Sequence, residues 1–196
     1  MTKLLDIIEN LEDISFWALD ETGKRLESNN FYSWSPVGKP TIIERNGCHK
    51  GLNIIGSTEV SKHFDFLYHA YPKGKGLSIT AEHIIKFVED IILFDRSRGV
   101  KITIIQWDNA KIHTADLVKQ FAKTHEEDLF LLHQPSYSPE LNPQEEMWHW
   151  LKDFIATATA AKDVQVLSKR VQEFKAYVSS HINEVKQRLY ARNFYR

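Results

Sequence analysis

A single cysteine, Cys48, stands in 196 residues. No disulfide framework and no multi-cysteine zinc or iron–sulfur site can therefore form within the chain, and a reducing compartment is the expectation. Eight glycines and six prolines are too few for a collagen-like or low-complexity chain. No run approaches the ~18 apolar residues that a membrane-spanning helix needs, and the opening MTKLLDIIENLEDISF is amphipathic and acidic, unlike a signal peptide. An excess of one charge is also missing. Twenty-five Lys and Arg face 26 Asp and Glu, a net charge of −1, so no global field draws in a polyanion and any nucleic-acid contact must be local. These absences predict a soluble, cytoplasmic protein without a membrane partner. With 42% hydrophobic and 26% charged residues, the chain has the composition of a globular protein and the length of one domain with an appendage.

Residues 3–12 place Leu4, Ile7, Ile8 and Leu11 at helical spacing, a short helix or the tail of an upstream segment. ISFWALD, 14–20, reads as a strand that delivers Asp20 at its end; 52–59 and 64–71 read as two more strands, plausibly a meander with the first. Thr80 suits the N-cap of a helix over 81–95, with Ile84, Ile85, Val88, Ile91 and Ile92 as its stripe and Arg98-Gly99 as its stop. VKITIIQW, 100–107, has the pattern of a central strand buried on both faces and stops at Asp108. A short helix over 114–124, a buried strand over 129–133, a proline-rich loop and a helix beginning at Asn142-Pro143 follow. Helical patterning then runs from about 163 to 190. Three strands, helix, strand, helix, strand, helices argue an α/β fold with a mixed sheet flanked by helices. An RNase H-like fold has this order; other mixed α/β layouts share much of it.

Three acids stand out by position: Asp20 and Asp108 at strand ends, and Glu145 in the first turn of a helix. If the two strands are neighbours, their carboxyl ends converge where α/β sheets form sites. Carboxylates held together repel, and a divalent cation relieves the repulsion; the oxygen ligands favour Mg²⁺ or Mn²⁺. Two such ions about 4 Å apart would serve an in-line displacement at a phosphodiester. Each acid also has a purely structural reading. Strands commonly end in Asp, and Asn142, Pro143 and Glu145 make a capping-box-like start to a helix. Glu146 points about 100° away from Glu145 around that helix. Trp148, Leu151 and Ile155 share helical spacing, so Trp148 reads as core. His113 can hydrogen-bond a carboxylate, touch a phosphate, or cap a helix beginning near Thr114. Lys24, Arg25, Lys39, Lys50, Lys73 and Lys75 lie in turns where they can touch a phosphate backbone without reading sequence, or form an ordinary solvated surface.

DNAKIHTA (108–115) and PSYSPELNPQEEMWHWLK (135–152) resemble the second and third signature blocks of the mariner-type DDE transposases, especially their bacterial insertion-sequence branch. ALDETGKRL (18–26), followed by WSPVGKP, resembles the first. The resemblance covers roughly residues 14–155, and the SPELNP block with Trp148 and Lys152 is its most specific part. It implies an RNase H-like DDE catalytic domain over 14–160, with 1–13 an N-terminal helix or linker remnant and 161–196 a helical extension packed on the same domain. Asp20, Asp108 and Glu145 match the catalytic, metal-binding triad, with two Mg²⁺ or Mn²⁺ ions as cofactors. Thirty-six residues lie between positions 108 and 145, close to the family's mid-thirties spacing. Asn109 and His113 match positions beside the second acid. His133, Tyr137 and Ser138 border the third block and are candidates to line a DNA-facing surface.

The implied activity is hydrolysis at transposon ends followed by strand transfer into target DNA. The implied partners are double-stranded DNA with a TA dinucleotide target and a second copy of the chain in a homodimer, with nucleoid association when DNA is bound. A complete transposase of this type carries helix-turn-helix modules ahead of the catalytic domain, and Asp20 arrives too early for one. A cloned domain, a second reading frame joined by frameshifting and a remnant all fit. A general RNase H-like nuclease and a non-catalytic fragment that dimerises with or regulates a full-length transposase are the competing functions.

Overall fold

A computed structural model describes residues 2–26, 35–39, 49–135, 138–156 and 161–195. Cys48 and Tyr137 lie outside these, as do both ends of the WSPVGKP stretch. The elements are α1 (Thr2–Asn10), β1 (Ile14–Arg25), β2 (Gly51–Glu59), β3 (Phe66–Lys73), α2 (Ala81–Ser97), β4 (Ile102–Trp107), α3 (Asp116–Thr124), β5 (Leu129–His133), α4 (Pro143–Phe154), α5 (Val164–Ser180) and α6 (Ile182–Leu189), with single 3₁₀ turns at Pro139–Leu141 and Ala191–Asn193.

The five strands form one sheet in the order β3-β2-β1-β4-β5. β1 pairs antiparallel with β2, as does β2 with β3, whereas β1–β4 and β4–β5 are parallel. Only β2 runs against the others, which is the mixed sheet of an RNase H-like fold. The central strands bury both faces. Phe16 and Ala18 of β1 and Ile104 of β4 join a core built with α1, α4, α5 and α6, while Trp17, Leu19, Ile105 and Trp107 join a second core under α2 and α3.

β1 does not stop at Asp20 as the composition of 14–20 suggests. It continues through Glu21–Arg25, because β2 pairs with it as far as Arg25↔Gly51; a polar segment of weak strand propensity is held by its partner. The patterned stretch 163–190 is two helices broken at His181, and α3 begins at Asp116 after an Ala115 N-cap that makes no side-chain cap. The stop after α2 is as expected: Gly99 takes φ +85°, and the amides of Gly99 and Val100 close on the carbonyls of Arg96 and Asp95 at 3.1 Å each. The first helix packs into the domain. Leu5 and Ile8 are fully buried, the Lys62 ammonium caps the carbonyls of Ile8, Leu11 and Ile14, and Arg192 pairs with Asp6 and Glu9.

A buried acid ties the central pair together. Asp95 on α2 is fully buried, and its Oδ2 accepts from Ser15 Oγ, from Trp17 Nε1 at 2.9 Å and from Thr103 Oγ1 at 2.9 Å, while Oδ1 accepts from Arg98 at 2.8 Å. Ser15 and Thr103 are register partners across β1 and β4, so one carboxylate holds both strands in a single alignment.

Candidate active site

That alignment decides where the acids fall. Ala18 pairs with Gln106 at the end of the parallel ladder, and Asp20 and Asp108 each follow that last pair by two residues, near enough for the Asp108 charge to act on Asp20. Asp20 projects on the α4 face, since Ala18, two residues before it, belongs to that core, whereas Asp108, past the end of β4, turns its Oδ1 to His113. α4 crosses this face with its N-terminus at the site. Glu145, at its third position, is beside Asp20: its charge is the second cause, after burial, of a rise in the Asp20 pKa to about 7, with Glu21 and Asp108 contributing further repulsion.

The helix start differs from the expected capping box. The Asn142 side chain accepts from Gln144 N at 3.1 Å, and among the described residues nothing hydrogen-bonds the Glu145 carboxylate. Glu146 turns the other way, to Arg188 on α6 at 3.2 Å. Trp148 is fully buried with Leu151 and Ile155, and it also acts on the site: Nε1 donates to Asp20 Oδ2 at 3.0 Å. Gly56, the register partner of Asp20, makes room, because a Cβ there would run into the Trp148 ring.

Asp108 lies just past β4 with its side chain half exposed. Its Oδ1 accepts from Ala110 N at 2.9 Å and lies 2.8 Å from His113 Nδ1. His113 does not cap α3. It is buried, stacks on Trp107 with centroids 4.6 Å apart and planes 3° apart, and puts Nε2 2.9 Å from Glu21 Oε1. Burial alone would lower its pKa; the hydrogen bond it donates to Glu21 and the charges of Glu21 and Asp108 outweigh that and raise it. Asn109 donates to the Gln134 carbonyl at 2.7 Å and so ties the loops after β4 and β5 together.

Of the basic candidates, Lys24 is half-buried on the Asp20 face of β1, and burial together with the nearby charges of Lys152 and Arg170 lowers its pKa. The same seam between β1 and α4 is therefore acidic at Asp20 and Glu145 and basic one to two turns on. Arg25 and Lys39 are exposed, Lys39 in a turn closed onto the Pro36 carbonyl at 3.0 Å. His133 is exposed at the end of β5, its ring 6.0 Å from that of Trp107. Glu21 and the hydrogen-bonding role of Trp148 escaped sequence reasoning. The DE pair at 20–21 was the available signal for Glu21: consecutive strand residues face opposite ways, so the second acid reaches the side where His113 lies.

Among the described residues no three His, Asp or Glu side chains stand close enough to hold an ion as they are. The donor chemistry nevertheless suits a hard divalent cation, since Asp20, Asp108 and Glu145 offer only carboxylate oxygen, and burial first and the Glu145 charge second raise the Asp20 pKa. A pH dependence follows. In the fold the pKa of Asp20 is raised from the ordinary 3.8 to about 7, so without metal the charged form is disfavoured there, and stability falls as pH rises from about 4 to about 7. Thermal midpoints in EDTA should decline across that window, and Asp20→Asn should flatten the decline; equal slopes in both proteins would refute the coupling.

Comparison with known proteins agrees with this architecture. The mariner paired-end complex of the Mos1 transposase with Mn matches with TM-score 0.66 at 18% identity, over 96% of this chain and 57% of that one. Its paired-end complex with the left transposon end matches at 0.62 and 19%, with the same coverage. The isolated Mos1 mariner transposase catalytic domain matches at 0.58 and 15%, over 96% of this chain and 85% of that one. The likeness is one of fold, and the chain spans just over half the length of the Mos1 chains in those complexes. No curated protein matches the sequence. Residues 15–168 match the family described as DDE superfamily endonuclease, and the chain belongs to that family.

Proposed function

We propose that the chain is the catalytic domain of a cut-and-paste DNA transposase of mariner type, from the bacterial insertion-sequence branch, with Asp20, Asp108 and Glu145 as its catalytic acids. The observation that supports the reading is that Asp20 and Asp108 follow the paired ends of β1 and β4 and that the charges of Glu145 and Asp108 both act on Asp20. Two Mg²⁺ or Mn²⁺ ions held by these carboxylates would supply activation of the attacking oxygen and charge stabilisation of the leaving one. The chain's own residues do the rest. Trp148 fixes Oδ2 of Asp20, His113 and Ala110 N hold Oδ1 of Asp108, and Pro143 at N1 starts α4 so that Glu145 lies in its first turn. Lys24, with Arg25 and Lys39, contacts the phosphate backbone of double-stranded DNA, both transposon ends and a TA-containing target. The active complex is a homodimer, and end recognition depends on a helix-turn-helix module outside this chain. Mos1 complexes with transposon ends, Mn and Mg support the same partner and ion classes.

Nicking of supercoiled plasmid in Mn²⁺, with EDTA as control, tests the chemistry; joining of a labelled end oligonucleotide to plasmid separates strand transfer from simple nuclease action. Glu145→Gln should lower nicking by about 10³-fold, the equivalent of several kcal/mol of lost transition-state charge stabilisation. Glu146→Gln should stay near wild type, because it breaks only a part-exposed pair with Arg188. A reversal of the two effects would shift the third acid by one position.

A further inference from the structure

The main-chain carbonyl of Leu141, one residue before the N-cap of α4, is the meeting point of three buried side chains. Gln106 Nε2 donates to it at 2.9 Å, Gln134 Nε2 reaches it at 3.4 Å and the Tyr195 hydroxyl lies 2.8 Å away, also touching Gln106 Oε1. All three residues are buried, as is the capping Asn142. Their origins differ: Gln106 is on β4, two residues before Asp108; Gln134 follows β5; Tyr195 follows the last 3₁₀ turn. None of them reaches the carboxylates.

We propose that Gln106 and Tyr195 are positioning residues, a clamp that fixes the start of α4 against the end of β4 and so sets the spacing between Glu145 and Asp108. The proposal rests on the nuclease reading of those two acids. The geometry carries it. One end of the clamp is covalently two residues from Asp108, the other four residues from Glu145, and a helix is stiff over its first turn, so movement of the Leu141 carbonyl is movement of the Glu145 carboxylate. Tyr195 supports both ends at once. Its ring packs against Phe16 at 6.2 Å between centroids, and it follows Ala191, whose amide donates to the Val60 carbonyl at 2.9 Å. The hydroxyl is thereby anchored to the sheet independently of α4. Two like-charged carboxylates otherwise push α4 away from the sheet, and no hydrogen bond to Glu145 among the described residues opposes that push.

The test is Tyr195→Phe, which removes one oxygen and keeps the packing, beside Gln106→Leu and a core control, Val171→Ala on α5. Two readouts are taken on the whole chain: amide hydrogen exchange without metal, and Mn²⁺ binding followed by the loss of free-ion EPR signal. Exchange at Met147 and Trp148 should speed up about three- to tenfold in Tyr195→Phe, the loss expected for one neutral hydrogen bond, while the α5 amides keep the wild-type rate. The Mn²⁺ half-saturation point should rise by a similar factor, and Val171→Ala should leave it in place despite a lower Tm. Unchanged exchange and Mn²⁺ binding in both clamp variants overturns the proposal, and so does loosening spread evenly through α4, α5 and α6, which would make Tyr195 only a structural residue. Local loosening in a protein that binds no Mn²⁺ even as wild type would keep the clamp and remove the nuclease reading.

Discussion

Asp108→Asn is expected to abolish metal-dependent nicking while leaving the thermal midpoint within a few degrees of wild type. The side chain is half exposed and just past the end of β4, so its replacement by an isosteric amide opens no cavity. His113 Nδ1 can still donate to the remaining amide oxygen. Lost is one formal negative charge within reach of Asp20. A neutral oxygen binds a divalent ion far more weakly than a carboxylate, and the transition state loses the several kcal/mol of charge stabilisation that the ion brings, ~10³-fold or more in rate. Removing a negative neighbour also lowers the pKa of Asp20, since Asp108 is among the charges that raise it. The variant's metal-free stability should accordingly vary less with pH than that of wild type. Nicking at a comparable rate in Asp108→Asn would exclude Asp108 as a ligand.

How far the sequence exposed this arrangement depends on the range of the interactions that create it. VKITIIQW was legible as a buried central strand because its apolar residues are contiguous, and with it the position of Asp108 beyond its end. The extension of β1 beyond Asp20 was not legible, since ETGKR is polar and is held as strand by β2, some thirty residues away. The break at His181 was hidden because Val178, Ile182 and Val185 keep helical spacing through it and pack into one core. In the site, the three acids were visible as a spacing that resembles a family. The contacts that orient them were not. Trp148 and Asp20 are 128 positions apart, Glu21 and His113 are 92 apart, and neither pair leaves a local pattern. Asp95 did leave one: it continues the Val88, Ile91, Ile92 stripe of α2, and an acid in an apolar stripe marks a buried polar contact.

That acid carries the second large effect. Asp95→Ala should cost about 3–5 kcal/mol, because it removes the acceptor for Ser15, Trp17 and Thr103 in a fully buried place and one of the two carboxylates that pair with Arg98, leaving it Asp65 alone. For a domain of this size that is roughly 10 °C or more in Tm. Asp90→Ala, which removes only a part-exposed partner of His69, should cost under ~1 kcal/mol, so urea unfolding of the two variants gives a direct comparison. The consequence reaches the site without any contact to it. Ser15 and Thr103 are aligned across β1 and β4 by the Asp95 carboxylate, and Asp20 and Asp108 each lie five residues further along from that pair. A slip of one residue would turn Asp20 to the face of the sheet opposite α4. Nicking per folded molecule in Asp95→Ala therefore reports whether the register survives the loss of its buried acid. Full activity at a temperature where the variant remains folded would show that the remaining ladder hydrogen bonds and the two cores hold the register unaided. A fall in activity ahead of unfolding would place the control of the catalytic geometry at the far end of the central strands.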